Sequence, residues 1–283
     1  MKVLKKFLTV IGLNIISKKE NNMYKIGADP EVFIFNVDED RIVSVEGMIK
    51  TPEGEGSKNN PLVVEGDFKV QEDNVLAEYN IPACATKTEW LEAHRFMLNA
   101  INVFLPDNCA YKIQSSAELD DEFLTTEQAL EIGCEPDYDV WIQDISATVS
   151  EFPSNLRCAG GHIHIGLPEE EQTVENLEYI VKKMDMFLGV ASIILDDDKE
   201  RRDLYGKAGS FRFKPYGLEY RTLSNFWLKS EQLMSWVFDQ TMFAIKSDIE
   251  IDEECRDIIN TQDVNKAFEF CKKYNVVLPL KLV

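Results

Sequence analysis

The sequence predicts an α+β fold built on an antiparallel sheet, and two observations lead to this class. Short strand-like segments near the N-terminus follow one another through polar turns, which is typical of antiparallel hairpins. Farther along, strands and helices do not alternate in the regular way that produces a parallel sheet. With 283 residues, of which 45% are hydrophobic, the chain has enough apolar side chains for a packed core.

The composition excludes several classes of protein. A net charge of -20 and a pI near 4.6 argue against broad binding to nucleic acid or to an anionic membrane, because both need a basic surface. The cysteines include no Cys-x-x-Cys pair, so neither a zinc ribbon nor a disulfide framework is indicated. Reduced thiols in a cytoplasm are expected.

Residues 1–22 differ from the rest of the chain. A basic start is followed by a largely apolar run, Phe7 to Ile16, with no small-x-small cleavage site behind it. This run is too short to span a bilayer. We expect residues 1–22 to be an extension outside the core, with a short membrane-surface helix as the alternative, and residues 23–283 to form a single domain.

The first strand, Tyr24 to Asn36, is predicted to pair with a strand beginning at Arg41. It contains Asp29-Pro30-Glu31. In extended chain the two carboxylates point the same way and repel each other unless a cation lies between them. Pro30 belongs at an edge or a bulge because it lacks an amide hydrogen. The alternative is a solvated strand face in an acidic protein.

The next strands and the first long helix carry fewer polar candidates. Residues 62–65, 67–71 and 74–80 are predicted strands, and Glu78 and Asn80 share one face of the last. Glu72 and Asp73 are explained as turn residues. A helix from Thr86 to Phe104 contains His94, which we expect to be a core histidine. Residues 117–155 suggest no chemistry, although a short helix is possible from Thr125 to Ile132.

The segment Ala159-Gly160-Gly161-His162-Ile163-His164-Ile165-Gly166 is the strongest local signal. On a strand, His162 and His164 would share one face while the isoleucines fill the other. The glycine pair lets a ligand or another backbone approach closely. The alternative is an edge strand whose histidines only hydrogen-bond to neighbours.

A basic region follows the predicted helix from Val174 to Leu195. After Asp196-Asp197-Asp198, which we expect to be a solvated loop, residues 199–221 hold seven basic and three acidic residues, a local charge of +4. Glu219 and Arg221 would share a strand face, where a carboxylate suits a hard cation and a guanidinium suits phosphate oxygens. A salt-bridged surface strand is the alternative. Helices are predicted over 225–248 and 252–274.

Together these segments combine carboxylates, imidazoles and arginines in the manner that phosphoryl transfer requires. The chain has neither a Walker-type Gly-x-x-x-x-Gly-Lys-Ser/Thr loop nor a His-Arg-Asp kinase motif.

The ordered motifs resemble a known superfamily. Gly27 to Phe33, Gly160 to His164 and Glu219 to Arg221 are similar to motifs of the glutamine synthetase and glutamate-cysteine ligase superfamily. Ala77 to Asn80 and Arg201 to Gly209 resemble its phage-type COOH-NH2 ligases, or amidoligases. The resemblance implies a glutamine synthetase-like catalytic domain, with a curved antiparallel sheet and helices packed on one face.

The resemblance also implies an activity. An ATP-dependent carboxylate-amine ligase with Mg2+ or Mn2+ would form an amide through an acyl phosphate, from a small-molecule or peptide acid and an amine, in the cytoplasm of a host cell if phage-encoded. Metal ligands would be Asp29, Glu31, Glu78, His162 and Glu219. Arg212 and Arg221 would be catalytic, on the phosphate or the transferring group. Arg202, Lys207, Asn80 and His164 would serve the cofactor, His164 by orienting the metal ligands.

Three other functions stay open at this point. A metal-dependent oxygenase or hydrolase could use His162 and His164 with one acid and no nucleotide. A noncatalytic scaffold could keep the fold, and guanidino kinase chemistry could occur on a similar one. The identities of the acid and the amine, and the oligomeric state, do not follow from the sequence.

Overall fold

The computed structural model describes residues 24–131, 137–146 and 154–279. The predicted extension at residues 1–22 lies outside these ranges. The strands in chain order are β1 (Lys25–Ala28), β2 (Glu31–Asn36), β3 (Arg41–Val43), β4 (Leu62–Glu65), β5 (Phe68–Asp73), β6 (Leu76–Asn80), β7 (Cys109–Lys112), β8 (Ser116–Glu118), β9 (Tyr138–Asp139), β10 (Asp144–Ile145), β11 (Leu156–Cys158), β12 (Ile163–Gly166), β13 (Ser210–Lys214) and β14 (Gly217–Tyr220).

The helices lie mainly in the second half of the chain. They are α1 (Lys87–Phe104), α2 (Glu127–Leu130), α3 (Val174–Met184), α4 (Val190–Leu195), α5 (Glu200–Leu204), α6 (Glu231–Lys246), α7 (Glu254–Thr261) and α8 (Val264–Lys273). A π-helical segment, Asp185–Gly189, joins α3 to α4, and short 3-10 helices occupy Asp121–Phe123, Glu169–Glu171 and Asn225–Lys229.

Two sheets meet where β1 passes into β2. The first sheet has the strand order β1-β12-β14-β13-β9-β10. The second has the order β3-β2-β6-β5-β4, and β7 also pairs with β2. All these pairs are antiparallel. Backbone hydrogen bonds from Tyr79 to Pro30 and from Ile81 to Ala28 carry the pairing of β6 across the junction. The sheets therefore form one curved antiparallel surface, and the predicted fold class is confirmed.

Pro30 explains why the predicted strand over 24–36 is two strands. Proline cannot donate to a ladder, so regular pairing stops at Asp29-Pro30 and resumes at Glu31. The junction still lies between β12 on one side and β6 on the other. It is consequently the place where side chains of both sheets come closest to a common cleft.

The helices pack on one face of the sheet, as expected. Helix α1 begins with a capping box in which the Thr86 side chain accepts from Glu89, and it packs against α6. The predicted core histidine is confirmed, because His94 is fully buried with Nδ1 2.8 Å from the Tyr79 hydroxyl. Burial lowers the pKa of His94 to about 3, so it is neutral at physiological pH.

Two predicted helices are interrupted by local backbone preferences. The helix predicted over 225–248 is a 3-10 helix followed by α6, because extended Ser230 caps α6 through a bond from Leu233. The helix predicted over 252–274 divides at Gln262, whose φ of 54° is left-handed and ends α7.

The described cysteines Cys84, Cys109, Cys158, Cys255 and Cys271 form no disulfide. Within the described ranges, no helix combines the length and apolarity that a membrane crossing requires.

Asp185 is an acid buried where the π-helical segment meets β14. It accepts hydrogen bonds of 2.7 Å from both the Tyr220 hydroxyl and the Trp141 indole. Burial raises the pKa of Asp185 to about 7, although these hydrogen bonds act to lower it. The folded protein therefore retains a proton on Asp185 at pH values where the unfolded chain has lost it.

We expect this carboxyl to make stability fall as pH rises. Between its ordinary value of 3.8 and about 7, only the folded state holds the proton, so the Asp185 contribution is lost progressively over this window. Its slope approaches about 1.4 kcal/mol per pH unit. Urea unfolding at pH 5, 6 and 7 should show a shallower fall for Asp185→Asn than for wild type. Parallel pH profiles would contradict the assignment.

Candidate active site

A cleft of about 590 Å³ lies over the junction of the two sheets. Glu31, Glu78, His162, Glu219 and Arg221, which are far apart in the sequence, all line it. They reach it from β2, β6, the segment before β12, β14 and the segment after β14. The structure thus brings together five of the residues that the sequence motifs singled out.

One acidic cluster in the cleft consists of Glu31, Asp73 and Glu78. Glu31 and Glu78 are directly opposite each other in the β2–β6 pair, and Asp73 comes from the end of β5. All three are buried, and one carboxylate oxygen from each lies within 4.8 Å of the others. Gly160 donates its amide hydrogen to Glu31 at 2.6 Å, and Gln71 donates to Glu78 at 3.0 Å.

Burial and mutual repulsion raise the pKa of two of these carboxyls. Burial raises the pKa of Glu78 well above its usual value, and the charges of Asp29, Glu31 and Asp73 raise it further. Burial also raises the pKa of Glu31, against the opposing effect of His162. An all-oxygen set of this kind has the donor chemistry that Mg2+ or Mn2+ prefers, and a bound cation would offset the repulsion.

The second cluster contains Asp29, His164 and Glu219. His164 and Glu219 are opposite each other in the β12–β14 pair, and one potential ligand atom from each of the three residues lies within 4.8 Å of the others. His164 Nε2 is 3.0 Å from Asp29 Oδ1. The mixed nitrogen and oxygen set suits a divalent transition metal as well as Mg2+.

Positive neighbours dominate the electrostatics of this second cluster. Burial raises the pKa of Glu219 and so does Asp29, but Arg221 and the two histidines outweigh them and bring it to about 2. Burial also opposes ionisation of Asp29, yet His164 and His162 hold the pKa of Asp29 below its usual value. Lys214 lies 2.6 Å from Glu219 as a further cation.

The two histidines differ in the residues that they contact. The ligand-like cluster contains His164, whereas His162 Nδ1 lies 3.1 Å from the Arg221 guanidinium. His162 Nδ1 is also 3.4 Å from Asp29 and 3.5 Å from Glu219. Both imidazoles reach the same atom, Asp29 Oδ1, so the two histidines share one face of the segment while Ile163 and Ile165 are buried, as the strand alternation predicts.

Asp137 links the two arginines that the motifs assign to catalysis. Its Oδ1 lies 2.8 Å from Arg221 Nε and 3.3 Å from Arg212 Nε, and Arg221 also pairs with Glu219. Both arginines line the cleft. The sequence assigned no chemistry to the segment containing Asp137, and nothing local in that segment points to this contact.

Asp73 was also missed, and the turn prediction for Glu72 and Asp73 is wrong. Both belong to β5 and are buried, and both pair with residues of β6. The prediction for Asp196 is wrong too. This carboxylate is buried and accepts hydrogen bonds from Ser115 and Ser224.

Three further candidates lie away from the cleft-lining residues. Arg202 is buried and donates to the Gly206 carbonyl at 3.1 Å and to the Ser192 hydroxyl at 2.9 Å. These bonds tie residues 205–209, the glycine-rich loop, to α4. Lys207 accepts a bond from Thr222 through its carbonyl. Asn80 ends β6, opposite Lys69.

The two glycines before β12 allow other groups to approach the backbone closely, as predicted. A Cβ on Gly161 would lie 2.2 Å from the Ser224 carbonyl oxygen, and one on Gly160 would lie 2.3 Å from His162 Nε2. The backbone of Gly160 also bonds in both directions with Glu31. These contacts fix the acid of the first cluster to the histidine segment.

Part of the chain matches a model of a known protein family. Residues 140–279 match the family model described as Phage phiEco32-like COOH.NH2 ligase-type 2. This is the ligase family that the motifs resemble, and the matched residues make up just under half of the chain. Arg212, Glu219, Arg221 and both strand histidines lie within the matched residues, whereas Asp29, Glu31 and Glu78 precede them. No curated protein matches the chain.

One of three similar solved structures supports the fold. A bifunctional glutathione synthetase from Pasteurella multocida aligns with a TM-score of 0.54 at 11% identity, over 94% of this chain and 42% of that chain. The chain therefore spans less than half of that protein. A Plasmodium falciparum glutamine synthetase aligns at 0.38 with 11% identity, over 88% and 56% of the chains. A structure titled a novel glutamine synthase homolog aligns at 0.36 with 8% identity, over 93% and 69%.

We expect Gly161→Ala to destabilise the protein strongly. The new methyl group would meet backbone at Ser224, which cannot move as a flexible side chain can. A loss of about 2 kcal/mol or more in the free energy of unfolding is expected from chemical denaturation. Gly166→Ala is the matched control, because its nearest contact would be an ordinary 3.6 Å to Lys25. Equal stability of the two variants would contradict the close-approach role.

Proposed function

We propose that this protein is an ATP-dependent carboxylate-amine ligase that forms an amide through an acyl phosphate, with Mg2+ or Mn2+. The observation that carries the proposal is the convergence of two potential metal clusters and two arginines in one cleft. The match of residues 140–279 to a COOH.NH2 ligase family favours this function over the oxygenase and scaffold alternatives.

The residues present fit divalent cations. Glu31, Asp73 and Glu78 would hold one ion through oxygen alone, and the second cluster would hold another through Asp29, His164 and Glu219. When bound, the ions supply charge neutralisation for the nucleotide phosphates. Lys58 lies 2.9 Å from Asp73, but one lysine is a single charge beside three buried carboxylates, and the cost of burying all three supports a metal role over a purely structural one.

The proposed reaction has two steps, phosphoryl transfer to the acid and then amide formation. A carboxylate oxygen of the acid attacks the γ-phosphorus of ATP, the bond to the bridging oxygen breaks, and ADP leaves. The amine nitrogen then attacks the acyl carbon, the bond to the phosphate oxygen breaks, inorganic phosphate leaves, and the nitrogen gives up a proton. Preorganised cations around the transferring group lower the barrier to the first step.

We assign Arg212 and Arg221 to this first step, because both line the cleft beside the potential metal clusters. Asp137 contacts both guanidinium groups, and a guanidinium matches the oxygens of a transferring phosphoryl group in a planar, bidentate manner. His162 contacts Arg221 and so restricts its orientation. Arg202 has no such role in this proposal, because its side chain serves the glycine-rich loop.

We expect the wild-type chain to bind Mn2+ in calorimetry and Glu78→Gln to bind it at least about tenfold more weakly, since a ligand of the oxygen cluster is lost. Glu231→Gln is the control, because Glu231 forms only an exposed ion pair with Arg95 among its described contacts and lies outside the cleft. Wild-type affinity in Glu78→Gln, or no Mn2+ binding by the wild type, would contradict the proposed site.

ATP consumption tests the activity directly. ADP release should require both an acid and an amine, in a screen of amino acids, polyamines and peptides with Mg2+, and mass spectrometry should find an amide. Arg221→Lys should reduce the rate by about 10²-fold, because a point charge cannot replace the bidentate donors. Arg95→Lys should be unaffected. A phosphoguanidine product, or no nucleotide binding, would overturn the proposal.

A further inference from the structure

The loop between β3 and β4, residues 44–61, lines part of the cleft through Ser57, Lys58 and Asn59. Glu72 fixes this loop to β5. Its amide donates to the Gly56 carbonyl at 2.8 Å, and its carboxylate accepts from the amides of Ile49 and Lys50 at 2.9 and 3.0 Å. Because Asp73 follows Glu72 in β5, the loop is held beside Asp73.

Lys58 brings its ammonium group to the oxygen cluster of Glu31, Asp73 and Glu78. Its Nζ lies 2.9 Å from Asp73 Oδ1. The Lys58 side chain is 45% exposed and the Asp73 side chain is 8% exposed, so the cation reaches a buried acid from the solvent side. An ion pair with a half-exposed lysine costs little free energy to break.

A divalent cation is a stronger partner than an ammonium group for this cluster. One carboxylate oxygen from each of the three acids lies within 4.8 Å of the others, so a single ion can bind all three. Such an ion also carries twice the charge of Lys58. Because lysine has a flexible four-carbon stem, its ammonium group can turn away from Asp73 while the loop stays bonded to Glu72.

Other cations line the same cleft. Arg212 belongs to β13 and Arg221 follows β14, both in the first sheet, whereas Lys58 comes from a loop of the second sheet. An anion bound in the cleft therefore has cationic side chains from both sheets among its neighbours. Lysine binds phosphate oxygens as a point charge and complements the bidentate contacts of arginine.

We propose that Lys58 is a nucleotide-binding residue whose ammonium group pairs with Asp73 until a divalent cation occupies the oxygen cluster, and then binds the nucleotide phosphates. This inference rests on the proposed ligase function, which supplies the cation and the nucleotide. It also accounts for a lysine beside acids that fit a metal. The ion pair offsets part of the carboxylate repulsion in the metal-free protein and gives way when the ion binds.

Calorimetry on the full chain should give effects of opposite sign for one substitution. Lys58→Gln should bind Mn2+ about fivefold more tightly at one site, because no ammonium group competes for Asp73. With saturating Mg2+ and no acid or amine, the same variant should bind ATP about tenfold more weakly, because a charge-assisted contact is lost. Lys87→Gln is the matched control and should equal wild type in both, since Lys87 pairs with exposed Asp239 outside the cleft.

Lysine acylation of the wild-type chain is the second measurement, and it needs no variant. An amine-reactive ester modifies exposed lysines, and mass spectrometry of the peptides reports the extent at each residue. Modification of Lys58 should rise when Mn2+ is added, because the ion pair with Asp73 is broken, and should fall again when ATP follows. Modification of Lys87 should stay constant throughout.

Weaker binding of both Mn2+ and ATP by Lys58→Gln would overturn the inference, by giving Lys58 a purely structural role at Asp73. Unchanged affinity for either ligand, or Lys58 modification that does not respond to bound Mn2+, would overturn it as well. These results leave the proposed function intact where ADP release still requires an acid and an amine. The expected changes at Lys58 without any ADP release would support the inference and defeat the proposed function. Absence of Mn2+ binding by the wild type would defeat both.

Discussion

Repulsion between buried carboxylates is the constraint on which the rest of this site depends. Glu31 and Glu78 are cross-strand neighbours, and Asp73 is close enough for all three carboxylates to bind the same cation. Such an arrangement costs free energy unless protons or cations intervene. Burial raises the pKa values of Glu31 and Glu78, and the charges of neighbouring carboxylates raise them further. A sheet selected only for stability would place apolar or oppositely charged pairs at these positions. The proposed cation would offset this cost.

The surrounding structure positions these acidic side chains. Pro30 interrupts the strand between Asp29 and Glu31, so the two neighbouring acids enter different clusters rather than one. Gly160 and Gly161 let the histidine segment approach Glu31 on one side and the Ser224 backbone on the other. The helices behind the sheet supply the buried apolar contacts that offset the cost of the polar cleft. Stability and function are thus separated between the two faces of the sheet.

Local sequence patterns predict most of the fold and part of the site. The Thr86 cap and the strand-like spacing around His164 follow from short-range rules, and both are present in the structure. The missed residues depend on pairing between distant segments. Asp73 follows Glu72 in a polar stretch that resembles a turn, and only the register with β6 shows that it is a buried strand residue. Asp137 meets Arg212 and Arg221 through the same kind of nonlocal contact. Arg202 lies in a basic region whose composition is typical of an anion-binding segment, but its side chain donates to the Gly206 carbonyl of the glycine-rich loop.

Diffraction from crystals soaked in Mn2+, recorded where manganese scatters anomalously, tests the central claim most directly. Two anomalous peaks are expected, one among Glu31, Asp73 and Glu78 and one among Asp29, His164 and Glu219. Carboxylate oxygens should lie at ordinary coordination distances from both. An ordered cleft with no anomalous peak at either cluster, or with carboxylates satisfied only by Lys58, Lys214 and Arg221, would contradict the account.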